Sequence, residues 1–586
     1  MPPSDEAQPT AEQKEKILAW IKEKAFQLDP LNPDPGHVTL RRLNRVEYRN
    51  TIKDLLDYDF DTSVEFPADD TGHGFDNNGD VLTISPMLLE KYLDAAQKIV
   101  TAAVPHSSRV VAEAKVPGRD FQDAGDAPSG GSKWAKFLSY YEAATVTATR
   151  QIERAGEYQI VLDLAAIESY VDNQFDLNEA RFVFKIDGET ALDRKFVREG
   201  WKNFEFAFDR VWEPGEHSFT IKVEPLTPDR EQIRKLRFQV NHVTVRGPMD
   251  EKHWVRPSNY SKFFPREVPR GKKQRESYIR ELLADFGLKA FRRPVDERTL
   301  QRLVDLAVYA AGGEGETFES GVAQAMTAML ASPRFLFREE DTLELEPGEK
   351  HPKIDEWALA SRLSYFLWST MPDEELFRLA AENRLREQLE PQVKRMLAHD
   401  RAKGFVKNFV GQWLQARDIT TVQISDFAVW LRENPDPSLA EARETFRRLR
   451  EIDEELRTEE QEKQYQEARQ TFFASFRIPK PELGRELREA MLSETELFFE
   501  YIVEQDRSLV ELLDADYTFL NEELAEHYGI EGVEGEEMRK VTLPADSPRG
   551  GILTQGTVLA VTSNPTRTSP VKRGVFILDN ILGAPP

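Results

Sequence analysis

Four short stretches decide the fold: YQIVLDL (158–164), RFVFKI (181–186), FEFAFDRVW (204–212) and SFTIKV (218–223). In each, apolar residues recur every second position: Tyr158, Ile160, Leu162 and Leu164; Phe182, Phe184 and Ile186; Phe204, Phe206 and Phe208; Phe219, Ile221 and Val223. Period two places these side chains on one face of a strand, with polar neighbours on the other. Asp187-Gly188 and Pro214-Gly215 stand between the runs as turns. A fifth run changes phase, with Leu236, Phe238 and Val240 on one face, then Val243 and Val245, so a β-bulge is expected near 241. Short strands with turns between them predict a β-sandwich or jelly roll over 107–250.

Outward from this segment the period becomes helical. Before it, Thr10 with Gln13 and Asn44 with Glu47 have the spacing of capping boxes, and Ser85-Pro86 opens a further amphipathic helix. After it, Tyr278, Ile279, Leu282, Leu283 and Phe286 form one stripe, and Phe318, Val322, Ala325, Met326 and Met329 another. The expected organisation is multidomain α plus β, with mostly helical domains and one inserted all-β sandwich. The segments are a short N-terminal helix (1–28), a helical domain (37–103), the sandwich (107–250) and helical domains at 271–340 and 352–425. A charged helical insertion (426–480) and a last helical domain (484–586) follow. The insertion is so rich in opposite charges at helical spacing that it reads as a solvated arm or hairpin.

Composition excludes several chemistries. The chain has 586 residues, 78 Lys plus Arg against 103 Asp plus Glu, and a formal charge of -25. So acidic a surface repels phosphate backbones, which disfavours nucleic acid as a partner. No apolar run is long enough to span a membrane. There are no cysteines, so the chain can form no disulfide and cannot hold haem c covalently. None of the nine histidines stands four residues from another, and P-loop, dinucleotide and nucleophile-elbow motifs are missing.

Candidate sites lie in four places. The loop DDTGHGFDNNGD (69–80) gathers Asp69, Asp70, Asp76, Asn77 and Asp80, but an EF-hand starting at Asp76 fails because its sixth and twelfth positions are Val81 and Met87. A loop held by Asx turns is the plainer reading. The loop TSNPTRTSPVKRG (562–574) brings Ser563, Asn564, Arg567, Thr568 and Arg573 before a helix capped by Ser569 and Pro570, an arrangement suited to an anion or a sugar, or simply to a tight turn. In the β-domain, Trp134, Tyr170 and Trp201 are candidate stacking faces for sugar rings, with Tyr140, Tyr141 and Trp212 as further aromatics. Asp172, Asn173 and Asp176 crowd one loop, where calcium is a possible ligand and a bland polar loop the alternative.

Several long stretches resemble a family. LRRLNRVEYRNTIKDLL, FPADDTGHGFDNNGDVLTISPMLLEKYL, KAFRRPVDERTL, MLASPRFLFR, LASRLSYFLWSTMPDEELFRLA, ETELFFEYIVEQDRSLVELLDADYTFLNEELAEHYGI and RGGILTQGTVLAVTSNPTRTSPVKRGVFILDNILG are similar to the multidomain proteins of planctomycete type. These are built from planctomycete-specific domains of unknown function and usually headed by a c-type cytochrome domain. The resemblance implies that the β-domain is like the carbohydrate-binding modules inserted in such proteins, some similar to calcium-dependent xylan-binding modules. It also implies export to the periplasm or cell surface, a polysaccharide partner and a redox partner. The charged arm from Asp426 to Arg477 departs from the family pattern. Met1-Pro2-Pro3 resembles the axial-methionine tail of the cytochrome domain, so 1–28 is expected to be its remnant and the chain a fragment of a longer protein, truncated at both ends. The family carries no established reaction, which leaves three expectations: a glycan-binding scaffold, an enzyme acting on polysaccharide between the helical domains, or a structural surface protein.

Overall fold

A computed structural model describes residues 9–25, 35–36, 38–123, 134–168, 175–433, 437–453, 456–474, 483–544 and 546–586. The chain forms two compact units. One comprises Val104–Ile279 and Leu306–Gln324, the other Met1–Ala103, Arg280–Asp305 and Ala325–Pro586.

The first unit holds the sandwich. Its strands are β1 (Glu113–Pro117), β2 (Gln122–Asp123), β3 (Lys136–Ser139), β4 (Ala144–Ile152), β5 (Gly156–Glu168), β6 (Ala180–Ile186), β7 (Glu189–Phe196), β8 (Lys202–Trp212), β9 (Gly215–Pro225) and β10 (Leu236–Arg246). They form two antiparallel five-stranded sheets, one in the order β2-β4-β9-β6-β7, the other β1-β10-β5-β8 with β3 also on β10. The alternating residues are the core: Ile160, Leu162, Leu164, Phe182, Phe184, Phe219, Ile221 and Val223 are completely buried. Phe204, Phe206 and Phe208 share the inward phase but are only half-buried, because β8 is the edge of its sheet and lacks a neighbour on one side. The expected bulge is present: the register of β10 against β5 shifts between Val240 and His242, and the Asn241 amide donates to Asp163 Oδ1 at 2.8 Å. Asp187-Gly188 forms the two-residue turn between β6 and β7, both with positive φ (51° and 83°), as the hairpin turn matched to strand twist requires.

In the second unit the capping boxes at Thr10/Gln13 and Asn44/Glu47 both form. Helix α1 (Arg45–Leu56) and helix α2 (Pro86–Ala103) enclose an aromatic cluster. In it Tyr48 meets Phe66, Tyr92 and Phe335 with ring centroids 5.1, 5.6 and 5.6 Å apart. The Tyr48 hydroxyl is buried without a hydrogen-bond partner, and burial drives its pKa far upward. An unsatisfied buried hydroxyl costs free energy, so Tyr48→Phe is expected to leave stability unchanged or raise it by up to about 1 kcal/mol in denaturant melts. A loss of that size would instead reveal a partner for the hydroxyl.

Further along, α3 (Glu356–Leu367) packs on the segment 374–397. Helices α4 (Pro437–Arg450) and α5 (Glu459–Ala474) pair through Phe446, whose ring lies 5.3 Å from Tyr465 and 5.4 Å from Phe472. The charged arm is therefore a hairpin with a narrow aromatic seam. Helix α6 (Arg485–Glu504) carries Phe498, Phe499 and Ile502 into the last core, and α7 (Pro570–Phe576) is capped by Ser569.

Candidate functional site

At one end of the sandwich the loops before β6, β8 and β10 converge. β5 ends at Glu168, whose carboxylate takes both arms of Arg198 at 2.6 and 2.8 Å and Arg234 at 3.0 Å. The Arg198 guanidinium lies 5.0 Å from the centre of the Phe175 ring. Phe175 is 65% exposed and Trp201, three residues beyond Arg198, is 72% exposed. Glu199 lies 3.7 Å from both Arg194 and Lys202. This end thus carries two exposed aromatic rings and a network of charges.

The loop is anchored by Asp176. Its Oδ1 accepts from the Asn178 backbone and side-chain amides, both at 2.9 Å. Its Oδ2 accepts from Tyr141 at 2.7 Å and from the backbone N–H groups of Ile233 and Arg234 at 3.0 and 2.8 Å. Burial alone would raise this carboxyl, but these donors hold it below the usual carboxylate range. Both oxygens of Asp176 are thus engaged within the protein, with the Tyr141 hydroxyl also meeting the Arg234 carbonyl. Asp176 is a buried keystone that closes the loop onto β10. Asp172, Asn173 and Tyr170 lie outside the described residues. Among the described residues no group of three or more His, Cys, Asp or Glu is placed to hold a metal ion.

Trp134 is 65% exposed, but it sits before β3, where Arg119 stacks on it at 5.3 Å. β3 is on the β10 side of the sheet whereas Trp201 leads into β8, with β10 and β5 between them. At about 4.8 Å per strand the starts of these two strands stand three spacings, roughly 14 Å, apart. Tyr140 and Trp212 are core residues, 2% and 4% exposed. Trp212 donates its indole N–H to Asp187 at 2.9 Å and stacks on His217.

In the helical unit, the side chains of Asp69 and Asp76 and backbone groups of Asn77 and Asp80 are engaged by the fold. Asp69 accepts from Arg42 at 2.8 Å through Oδ1 and from the backbone N–H of Arg45 at 2.7 Å through Oδ2, which fixes the first turn of α1. Asp76 accepts from Asn44 at 2.9 Å and Arg417 at 2.8 Å. The Asn77 carbonyl accepts from Arg41 at 2.9 Å, and Asp80 closes an Asx turn through its backbone N–H on Asn78. Asp70 is exposed.

The Ser/Thr loop is likewise tied. Asn564 and Arg567 pair backbone to backbone, Ser563 donates to the Leu559 carbonyl at 2.7 Å, and Arg573 donates to Thr562 and to Leu559 at 3.3 Å. Arg567 and Thr568 are exposed. A cavity of about 610 Å³ is lined by Val38, Thr39 and Arg41, by Phe75 and Asn77 of the acidic loop and by side chains between 338 and 409, and by none of 563–573. The sequence gives no warning of that cavity, or of Arg198 and Phe175, because their partners lie tens of residues away.

Four family models match, each described as a protein of unknown function: PSD3 (DUF1587) over 41–105, PSD5 (DUF1595) over 278–340, PSD4 (DUF1592) over 354–530 and PSCyt3 (DUF1588) over 549–586. These are the planctomycete-type, cytochrome-associated domains that the sequence resembles. No curated protein matches the chain. Among solved structures, the chain is similar to the CBM36-1 domain of a multidomain xylanase from the hindgut metagenome of Trinervitermes trinervoides, at 18% identity over 23% of this chain and 98% of that one, TM-score 0.17. A family 35 carbohydrate binding module from Clostridium thermocellum matches at 10% identity over 23% and 97%, TM-score 0.15. A module CBM36 in complex with calcium and xylotriose matches at 15% identity over 22% and 97%, TM-score 0.16. Among the described residues, no helix is long and apolar enough to cross a membrane.

Proposed function

We propose that the chain is an exported polysaccharide-binding scaffold. Its sandwich takes a glycan at the end that carries Trp201, and its helical domains hold that glycan near a redox or hydrolytic partner. The observation that carries the reading is the exposure of Trp201 (72%) and of Phe175 (65%), on two loops at the end of the sandwich where Glu168, Arg198 and Asp176 make their ion pairs and hydrogen bonds. Exposed indole and phenyl faces on a rigid support suit the C–H faces of sugar rings, with polar groups at the rim to meet hydroxyls. Arg198 stacks on Phe175, so less freedom of that ring remains to be lost on binding. Export and the redox partner rest on the resemblance to planctomycete-type proteins. Calcium enters this reading only through Asp172 and Asn173.

The test is retention of the whole chain on a panel of insoluble and soluble polysaccharides, run with calcium and then with a chelator. Retention on one polysaccharide class is expected, and loss on chelation would add the cation to the site. Passage through every polysaccharide unretarded would refute the reading and favour a structural surface protein.

A further inference from the structure

The 610 Å³ cavity of the helical unit has the size of a small-molecule site, within the usual range of roughly 300–1,000 Å³. Its apolar side is a run of rings: Phe75 stacks on Phe409 at 6.0 Å, Phe409 on Phe405 at 5.3 Å, and Phe405 meets Phe366 at 5.2 Å. Phe366 is 61% exposed, which is unusual for a phenyl ring in a cleft with so many apolar neighbours.

Its polar side includes three guanidinium groups together with the Glu340 carboxylate and the side chains of Asn77 and Asn408. Arg41 and Arg338 are direct cross-strand partners in the two-residue ribbon that joins 41–42 to 337–338. Like charges directly opposite each other repel, so this pairing is costly unless anions compensate it. Glu47 holds Arg41 at 2.7 Å. Glu340 is shared, taking both arms of Arg362 at 2.9 and 2.5 Å and Arg338 at 3.2 Å. Among the described residues, three cations therefore face two carboxylates, in a protein whose formal charge is -25. The Arg338 Nε is buried with no hydrogen-bond partner. Burial first, and then the charge of Arg41, pull its pKa down to about 10, against the raising charges of Glu47 and Glu340, and the guanidinium stays protonated at neutral pH.

We infer that this cleft binds a small organic monoanion with an apolar ring, of the aryl carboxylate class. The ring lies along Phe366, Phe405 and Phe409, and the carboxylate supplies the missing negative charge at Arg41, Arg338 and Arg362. A planar carboxylate matches a guanidinium fork, and one charge suffices to balance the excess.

Titration calorimetry on the whole chain with 1-naphthoate and its neutral counterpart 1-naphthalenemethanol tests this. Naphthoate is expected to saturate one site and to bind about tenfold more tightly than the alcohol. Glu340 competes with the ligand for the same cations, so Glu340→Gln is expected to tighten naphthoate about threefold and Arg362→Gln to weaken it about tenfold. Phe366→Ala, at an exposed position that leaves the fold intact, is expected to weaken both probes about tenfold. Equal affinity for the alcohol, tighter binding that fails to appear in Glu340→Gln, or no saturable binding up to about 10 mM would overturn the inference.

Discussion

Asp69→Ala is expected to destabilise the helical unit by about 3–5 kcal/mol, the cost of stranding a buried charge. Arg42 and Asp69 are 5% and 7% exposed at their side chains and lie 2.8 Å apart. Arg42 also donates to the carbonyls of Thr83 and Leu43, both at 3.0 Å. With the carboxylate gone, these neutral acceptors remain but the charge has no counterion. The first turn of α1 also loses the acceptor for the Arg45 N–H, where a negative group favours the helix N-terminus. Guanidinium chloride unfolding of the whole chain reads the loss. The paired replacement Arg42→Met with Asp69→Leu removes both charges and is expected to recover much of it. If Asp69→Ala instead changed stability by less than about 1 kcal/mol, the carboxylate would not be part of the fold's frame.

The second large effect is a loss of stability with rising pH. Glu494 is buried in α6, with its carboxyl accepting from Thr518 at 2.5 Å and Tyr528 at 2.6 Å. Burial raises its pKa to about 7, against lowering contributions from both hydroxyls and from Arg549. In the unfolded chain this group titrates near 4.5. Between those two values the folded state binds more protons than the unfolded one, so stability falls as pH rises through that window and stays low above it. The full difference is about 3 kcal/mol. Burial also raises Glu496 and Glu500, which adds to the same trend. Glu494→Gln keeps the shape and removes the titration. Unfolding midpoints at about pH 5 and pH 8 are therefore expected to differ much less in Glu494→Gln than in the native chain. Identical pH dependence in the two chains would contradict the assignment.

Local chemistry made much of the fold readable. Alternation placed the core strands, the phase change at 240–243 located the bulge, and Asn44/Glu47 and Ser569-Pro570 marked helix starts, because each of these signals acts over a few residues. β4 and β7 were harder to see, since ATVTATRQI (144–152) and ETALDRKF (189–196) pack small or amphipathic side chains and show little contrast between faces. Phe204, Phe206 and Phe208 read as core, yet their burial depends on β8 being an edge, and strand order is not a local property. The sites were less legible for the same reason. Asp69, Asp76 and Asp176 attract attention as acids in Gly- or Asn-rich loops, but their roles are set by Arg42, Arg417 and Tyr141, which are distant in sequence. The cleft of Arg41, Arg338 and Arg362 is assembled from segments some 300 residues apart along the chain.

The reading of the sandwich as a glycan module is tested most directly by comparing Trp201→Ala with Trp134→Ala on the polysaccharide that retains the native chain. Both indoles are exposed, at 72% and 65%, so neither change should disturb folding, and melting curves verify this. Retention is expected to fall about tenfold or more in Trp201→Ala and to persist in Trp134→Ala, because the proposed glycan end is the one whose loops carry Trp201, Arg198 and Phe175, whereas Arg119 stacks on Trp134. Full retention by Trp201→Ala, or loss only in Trp134→Ala, would contradict the placement of the glycan at that end of the sandwich.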